Sequence, residues 1–344
     1  MAKKKHRNLP AMLPPQLRRC WRVQAGNKKS QKKLNIFLRV AGGLIIFWLA
    51  FGAFLFFQKA SDSIYVFPEN PKQGDTVFIR VKSEADNLTG SFENEELVFY
   101  RKGKLPEWIA FLGIDVDQKP GDYKISVNTG GIQTLTKEIK VSLAEFSSAP
   151  SASAPSAKQT GVTQVKAVDN VIKNDNPVLK KILSNFTPEP YFNAPFSFPL
   201  REMEQRGFSF GKFISFATYN LRHLGVDLKA PEKTEIYAVN DGKVVSTVNL
   251  SNYGKTVIID HGLDIFSLYL HLEEFKVSEG QMVSRGQSIG LSGDTGYTTA
   301  PHLHFSMRVG KARVDPIIFI ETTKKINDNL FLADLLNAFL NIFK

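Results

Sequence analysis

Three hydrophobic patterns follow one another along this chain. From Val40 to Phe57 the residues are apolar on every side, interrupted only by Gly42, Gly43 and Gly52. With the turn before it this run would reach about 30 Å as a helix, the thickness of a bilayer core, so residues 36–58 are predicted to be a transmembrane signal anchor. Gln58-Lys59-Ala60 is a poor small-residue cleavage site, which argues against a removed signal peptide. Between residues 62 and 144 the pattern changes to short strands separated by turn residues. Ser63–Phe67, Thr76–Val81, Leu97–Arg101, Trp108–Leu112, Tyr123–Val127 and Leu135–Val141 are the predicted strands, and Gly130-Gly131 and Lys119-Pro120-Gly121-Asp122 are among the turns. That spacing predicts a small β-sandwich, immunoglobulin-like in outline.

Residues 145–175 begin with a Ser-, Ala- and Pro-rich run, show no apolar period, and read as a linker. Asn176-Pro177 then reads as an N-cap with proline at the first helical position, opening a short helix through Leu183 in a Pro-rich connector, 176–198. Strands return over 199–320. Lys243–Asn249 and Lys255–Asp260 flank the turn Ser251–Gly254, Ile265–Leu272 follows, and the loop Gly293–Pro301 feeds a strand His302–Val309. Beyond it Leu332, Leu336, Phe339 and Phe343 recur at helical spacing opposite Asp334, Asn337 and Asn341, which predicts an amphipathic helix in 321–344. The fold class is therefore mainly β: a transmembrane helix, a β-sandwich, an antiparallel β domain and a terminal helix.

Charge sharpens this picture. The formal net charge is +11, but twelve Lys and Arg and no acid fall within the first 39 residues. That basic tail, residues 1–35, is the flank expected to remain in the cytoplasm, which puts the rest of the chain outside, tethered to the cell membrane by a single pass. Residues 201–320 hold 13 basic and 13 acidic side chains, so nucleic acid is not an expected partner. The one cysteine, Cys20, lies in the tail, so any metal in the exported part must be held by His, Asp or Glu.

Five of the six histidines lie in the second β region, and four of them, His223, His271, His302 and His304, are candidates for chemistry. His302 and His304 alternate with Leu303 and Phe305, so on a strand both rings face one way while the apolar pair faces the core. The same period places His223, Gly225 and Asp227 on one face, with Gly225 leaving room beside a metal. His271 is expected to share a polar strand face with Ser267 and Tyr269, opposite Leu268, Leu270 and Leu272. His261, in the turn Ile259-Asp-His-Gly262, is assigned to structure. Neutral imidazoles and a carboxylate are zinc ligands and proton carriers near neutral pH, and a zinc hydrolase is the leading reading.

His223-Leu-Gly-Val-Asp227, Tyr269-Leu-His-Leu272 and Ser292-Gly-Asp-Thr-Gly-Tyr-Thr-Thr-Ala-Pro-His-Leu-His-Phe305 together resemble the lysostaphin/LytM zinc metallopeptidases, which cut peptide bridges of peptidoglycan. The resemblance covers about residues 195–320. It implies that His223, Asp227 and His304 ligate Zn2+ and that His271 and His302 flank the reacting water. The residues alone leave open which of His302 and His304 touches the metal. It also implies peptidoglycan peptides as substrate and a cell-wall or divisome protein as a candidate partner. Thr299-Ala-Pro301 departs from the Thr-Gly-Pro of many relatives, a change in loop shape rather than in a ligand. Two rival readings are a catalytically weak wall-binding, activator or scaffold protein of the same fold, and a lipoyl- or biotinyl-type carrier. Against the carrier, no lysine sits at a suitable hairpin tip; against the scaffold, all five site positions are filled.

Overall fold

The fold is that of a computed structural model, which describes residues 62–101, 106–130, 134–146, 161–202, 210–216 and 219–327. The basic tail, the expected membrane anchor and the apolar stripe from Leu332 to Phe343 lie outside the described residues. Among the described residues no helix is long and apolar enough to cross a membrane.

Residues 63–141 form two four-stranded antiparallel sheets. One runs in the order Ser63–Phe67, Thr76–Lys82, Glu107–Gly113, Tyr100–Arg101; the other runs Glu95–Leu97, Thr89–Phe92, Gly121–Asn128, Thr134–Val141. Val77, Ile79, Val81 and Trp108 from the first meet Phe92, Ile125, Val127 and Ile139 from the second in a shared core. The single strand expected over Leu97–Arg101 is instead split between the two sheets. Thr76–Lys82 is buried on nearly every residue because its outer face is covered too. There Phe78 packs on Phe111, whose ring also meets Phe192 and Phe319 of the following domain. Gly113 makes that approach feasible: a Cβ on it would come within 2.6 Å of the Ala312 methyl. Arg313 locks the seam, donating from Nε to Asp115 Oδ2 at 2.8 Å and from Nη2 to Asp117 Oδ2 at 2.9 Å.

Residues 226–314 build a nine-stranded antiparallel sheet whose main path is Val226–Leu228, Leu303–Val309, Ile265–Phe275, Gly254–Asp260, Gly242–Leu250 and Met282–Val283. On one face Val226, Leu228, Tyr269, Leu303, Phe305 and Met307 enter the main core. A helix over residues 316–327 continues through the expected boundary at 320 and adds Phe319 and Ile320 to that core. The other face of Ile265–Phe275 is covered in part by Leu179, against Phe266, Leu268 and Leu270. Both faces being covered explains its eight consecutive buried residues, where simple alternation predicted a polar side.

The helical connector begins earlier than its sequence suggests. Thr163, inside the stretch read as linker, is the N-cap, accepting a hydrogen bond from Lys166 N ahead of the helix Gln164–Asn170. Asn176 is not an N-cap: its backbone is helical at φ −61°, and its N–H donates to Val171 O across a π-helical turn, Val171–Asp175, that runs straight into Asn176–Ile182. Pro177 has no N–H and its ring would crowd a carbonyl of the preceding turn, so a widened turn is the local solution. Asp175, buried, accepts the backbone N–H groups of Ser251 and Asn252 at 3.0 and 2.7 Å, and Asn252 Nδ2 donates to Ala167 O at 2.8 Å. These bonds fasten the helices across the tip of the Gly242–Asp260 hairpin.

One strained acid gives a stability prediction. Burial, then the Asp260 and Glu95 carboxylates, push Asp264 up to about 6 from 3.8. A carboxyl whose folded value is raised costs stability once ionised, so the cost is complete above the folded value and absent below the unfolded one. Asp264 also sits at φ 58°, a backbone that asparagine tolerates. Asp264→Asn is expected to stabilise by about 1 kcal/mol after solvent screening, roughly 3 °C in Tm near pH 7.5, with no gain near pH 4. Thermal unfolding at both pH values checks it, and an equal shift at both would refute the electrostatic cause.

Candidate metal centre and active site

The segments that carry Asp227 and His304 meet by register. Asp227 pairs directly with His304 across the Val226–Leu228 and Leu303–Val309 strands, and Leu270 pairs with His304 on the other side. Leu303, Phe305, Met307 and Val309 all enter the core, so His304, Ser306 and Arg308 line the opposite face. His223 lies just before that edge, held by its backbone to Lys212 and Gly211 at 2.7 and 2.8 Å. Gly225 between them must lack a side chain: a Cβ there would stand 2.5 Å from His304 Nε2 and from Phe305 O.

The outcome is a tight trio. His304 Nδ1 lies 2.9 Å from both His223 Nε2 and Asp227 Oδ1, and His223 Nε2 lies 3.1 Å from Asp227 Oδ1. Two ring protons can serve at most two of three mutual contacts, so hydrogen bonds alone leave one polar contact without a proton. A single cation satisfies all three lone pairs, and the spacing lets every atom reach one ion at about 2 Å. The donor set, two imidazoles and one carboxylate with no thiolate, fits zinc. Of the two histidines of the Pro-His-Leu-His-Phe run, it is His304 that joins this trio.

His271 and His302 stand beside the trio. Their ring centroids are 4.9 Å apart, His271 is 6.1 Å from the His304 ring, and His302 Nε2 is 3.6 Å from Asp227 Oδ1. Each has Nδ1 fixed by a backbone carbonyl, Thr295 O at 2.8 Å for His271 and Ala300 O at 2.9 Å for His302. A carbonyl accepts only, so in the neutral form of each ring Nδ1 carries the proton and Nε2 keeps its lone pair. The expected face for His271 needs correction. Ser267 and Tyr269 point into the main core, and regular alternation would have sent His271 after them. Its backbone instead turns left-handed, φ 62°, at a register shift in the pairing, so Leu272 resumes the core side and the His271 ring joins the opposite face. His261 is fully buried at 0% exposure, bonded through Nδ1 to Asp241 O and through Nε2 to Ser267 Oγ, both at 2.8 Å, away from the cluster.

Burial disfavours the charged form of two of the rings, His271 and His304. Burial, then His302 and His304, push His271 down to about 3; burial pushes His304 down to about 4 despite Asp227 beside it. Burial alone would push the Asp227 carboxyl up, but the His223 and His304 rings outweigh it and hold Asp227 well below the usual carboxylate range. A divalent cation favours the ionised form of the carboxylate and the unprotonated form of the imidazole nitrogens that bind it.

The cluster lies in a groove of about 690 Å³. The hairpin Phe213–Phe216 with Tyr219–Arg222 forms one wall, and Val171, Ile172, Asn176 and Leu179 of the helical connector form the other. Asp117 of the β-sandwich reaches the rim and pairs with Arg222, the residue before His223, at 3.0 Å. Sequence reasoning missed these walls, since nothing local in 164–183 says what it packs against. Ser306 and Arg308 were within reach of it, two and four residues along the same strand face from His304.

The comparisons with known proteins agree with this geometry. The Peptidase family M23 profile matches residues 221–316. The chain is 48% identical over 87 residues to the peptidoglycan DD-endopeptidase ShyA of Vibrio cholerae, 25% of this chain and 20% of that protein. It is 38% identical over 95 residues to the DD-carboxypeptidase/endopeptidase Mpg of Neisseria meningitidis, 28% of this chain and 22% of the other. The chain thus spans about a fifth of the length of these curated relatives. A crystal structure from Pseudomonas aeruginosa, titled as a candidate M23 peptidase, aligns at a TM-score of 0.56 and 25% identity over 73% of this chain and 95% of its own. That likeness is wider than the M23 segment and so includes part of the architecture before it. Over residues 221–316 this chain is therefore similar to peptidase family M23.

Proposed function

We propose that the chain is a zinc metalloendopeptidase that hydrolyses peptide cross-links or stem peptides of peptidoglycan during cell-wall remodelling. In this reading it is anchored by a single membrane-spanning segment, with its N-terminus in the cytoplasm and its catalytic domain outside. The observation that carries the reading is the trio of His223 Nε2, Asp227 Oδ1 and His304 Nδ1, all within 3.1 Å of one another at the floor of a groove, with the rings of His271 and His302 beside it. The relatives named as DD-endopeptidases support the substrate class.

His223, Asp227 and His304 would hold zinc, and bound there the ion supplies Lewis acidity toward the scissile carbonyl and lowers the pKa of water. The protein's own groups do the rest. His271 and His302, with Nδ1 tethered, hold Nε2 in place to orient the attacking water and to take its proton. Once protonated, the same nitrogens donate to the oxyanion of the tetrahedral adduct and then to the leaving amine. Attack by water in this arrangement needs no acyl-enzyme. The groove walls exclude bulk water and hold an extended peptide along the sheet.

Full-length protein incubated with purified wall sacculi is expected to release soluble fragments bearing new amine termini, to stop when chelator is added, and to resume with zinc. Cleavage that persists after complete metal removal, or sacculi left intact with zinc present, would overturn the reading.

A further inference from the structure

The strand that carries His302 and His304 continues along the groove floor with Ser306 and Arg308 on the same face, and both line the cavity. Arg308 is half-buried. Its Nη1 donates to Ser306 Oγ at 3.2 Å and to Met307 O at 3.0 Å, and Ser306 Oγ in turn donates to Leu224 O. Among the described residues no carboxylate lies within 4.0 Å of the guanidinium. The acids at that end of the groove are already taken: Asp115 holds Arg313, and Asp117 bridges Arg313 and Arg222. Burial pulls the Arg308 guanidinium down to about 10, which leaves it charged at neutral pH. A guanidinium has five N–H donors in a fixed fork, and here only one nitrogen is engaged, by neutral oxygens. A cation held in a cavity with no carboxylate bonded to it among the described residues is arranged to receive an anion.

We infer that Arg308, braced by Ser306, is a specificity subsite that takes a free carboxylate of the peptide lying in the groove, away from the reacting centre. The nature of the ligand rests on the peptidase reading above; the site itself stands on the placement of Arg308. Four residues of strand separate Arg308 from His304, about 13 Å between Cα atoms, so an extended peptide would present that carboxylate roughly two to four residues from the cleaved bond. A carboxylate can take two parallel N–H bonds from the fork, whereas a carboxamide offers one oxygen and opposes the fork with its own N–H groups. The subsite therefore distinguishes wall peptides with free carboxyl groups from amidated ones.

The test separates binding from cleavage. Full-length protein, stripped of metal so that nothing is turned over, is titrated with a wall tetrapeptide in three forms: unmodified, amidated at its C-terminal carboxyl, and amidated at its internal free carboxyl. Wild type is expected to bind the free acid about tenfold or more tightly than one of the two amides, which also identifies the carboxylate engaged. In Arg308→Gln that ratio should fall to about one, and Arg308→Lys should restore part of it, because a point charge remains without the fork. A wild type that binds all three forms alike, or binds none, overturns the inference, as does a preference that survives in Arg308→Gln. Circular dichroism of both variants guards against misfolding, with Arg308→Lys deciding if Arg308→Gln fails to fold. Selective binding without sacculus cleavage after zinc is restored would keep the subsite and overturn the peptidase reading instead.

Discussion

His304→Ala is expected to abolish metal binding and reduce peptide hydrolysis by at least about 10³-fold, because it removes one of three ligands and leaves Asp227 facing a single imidazole. The loss should not come from unfolding. His304 lies at a groove floor, while the hydrophobic residues around it on its strand, Leu303 and Phe305, remain in the core. A second readout makes this independent of activity. Ligand binding to the native state stabilises it by about 2.7 kcal/mol at a hundredfold excess over Kd, so added zinc should raise the Tm of wild type and leave that of His304→Ala unmoved. Asp227→Asn is expected to behave as an intermediate, keeping the shape of the carboxylate without its charge. A zinc-dependent Tm rise that persists in His304→Ala would place the ion elsewhere.

Substituting His271 should separate metal binding from turnover. The His271 backbone is left-handed, so alanine would add conformational strain of about 1 kcal/mol to the loss of the ring, and asparagine is the cleaner replacement. His271→Asn is expected to retain about one zinc per chain and a Tm within a few degrees of wild type while kcat falls roughly 10²–10⁴-fold, the range for removal of a general acid or base. KM should change little, since the ring faces the reacting centre rather than the groove ends. Metal content by elemental analysis beside steady-state kinetics decides it. A variant that loses its metal would make His271 a ligand, and one that retains full turnover would make it a bystander.

The β-sandwich bears on function differently from what its sequence suggests. With no histidine and scattered acids it reads as a spacer or binding module rather than an enzyme. In the structure Asp115 and Asp117 clamp Arg313 and Arg222, one beside each end of the segment that carries the site, so the sandwich braces the groove. The likeness to the Pseudomonas aeruginosa protein over 73% of this chain accords with a sandwich and peptidase domain packed as one body.

Much of the site was legible because it is written in a period of two. His302 and His304 alternate with core residues, and strand geometry converts that spacing into a shared face; His223, expected on one strand with Asp227, lies instead in the link between the strands Tyr219–Arg222 and Val226–Leu228. His261 was assigned to structure from its place in a turn, and it is buried away from the cluster; the motifs themselves carried the resemblance to a family. Three things depended on the folded chain. The face taken by His271 was set by a left-handed residue at a register shift, which pattern alone reads as continued alternation. The start of the connector helix at Gln164 was set by Asp175 and Ala167 finding partners at the tip of a distant hairpin, contacts that outweigh the local turn chemistry of Asn176-Pro177. The identity of the histidine in the trio was set by cross-strand register, which pairs His304, and not His302, with Asp227. Alternation is a property of the backbone and is fixed locally; register, bulges and docking are set by which surfaces exclude water together, and that requires the whole chain.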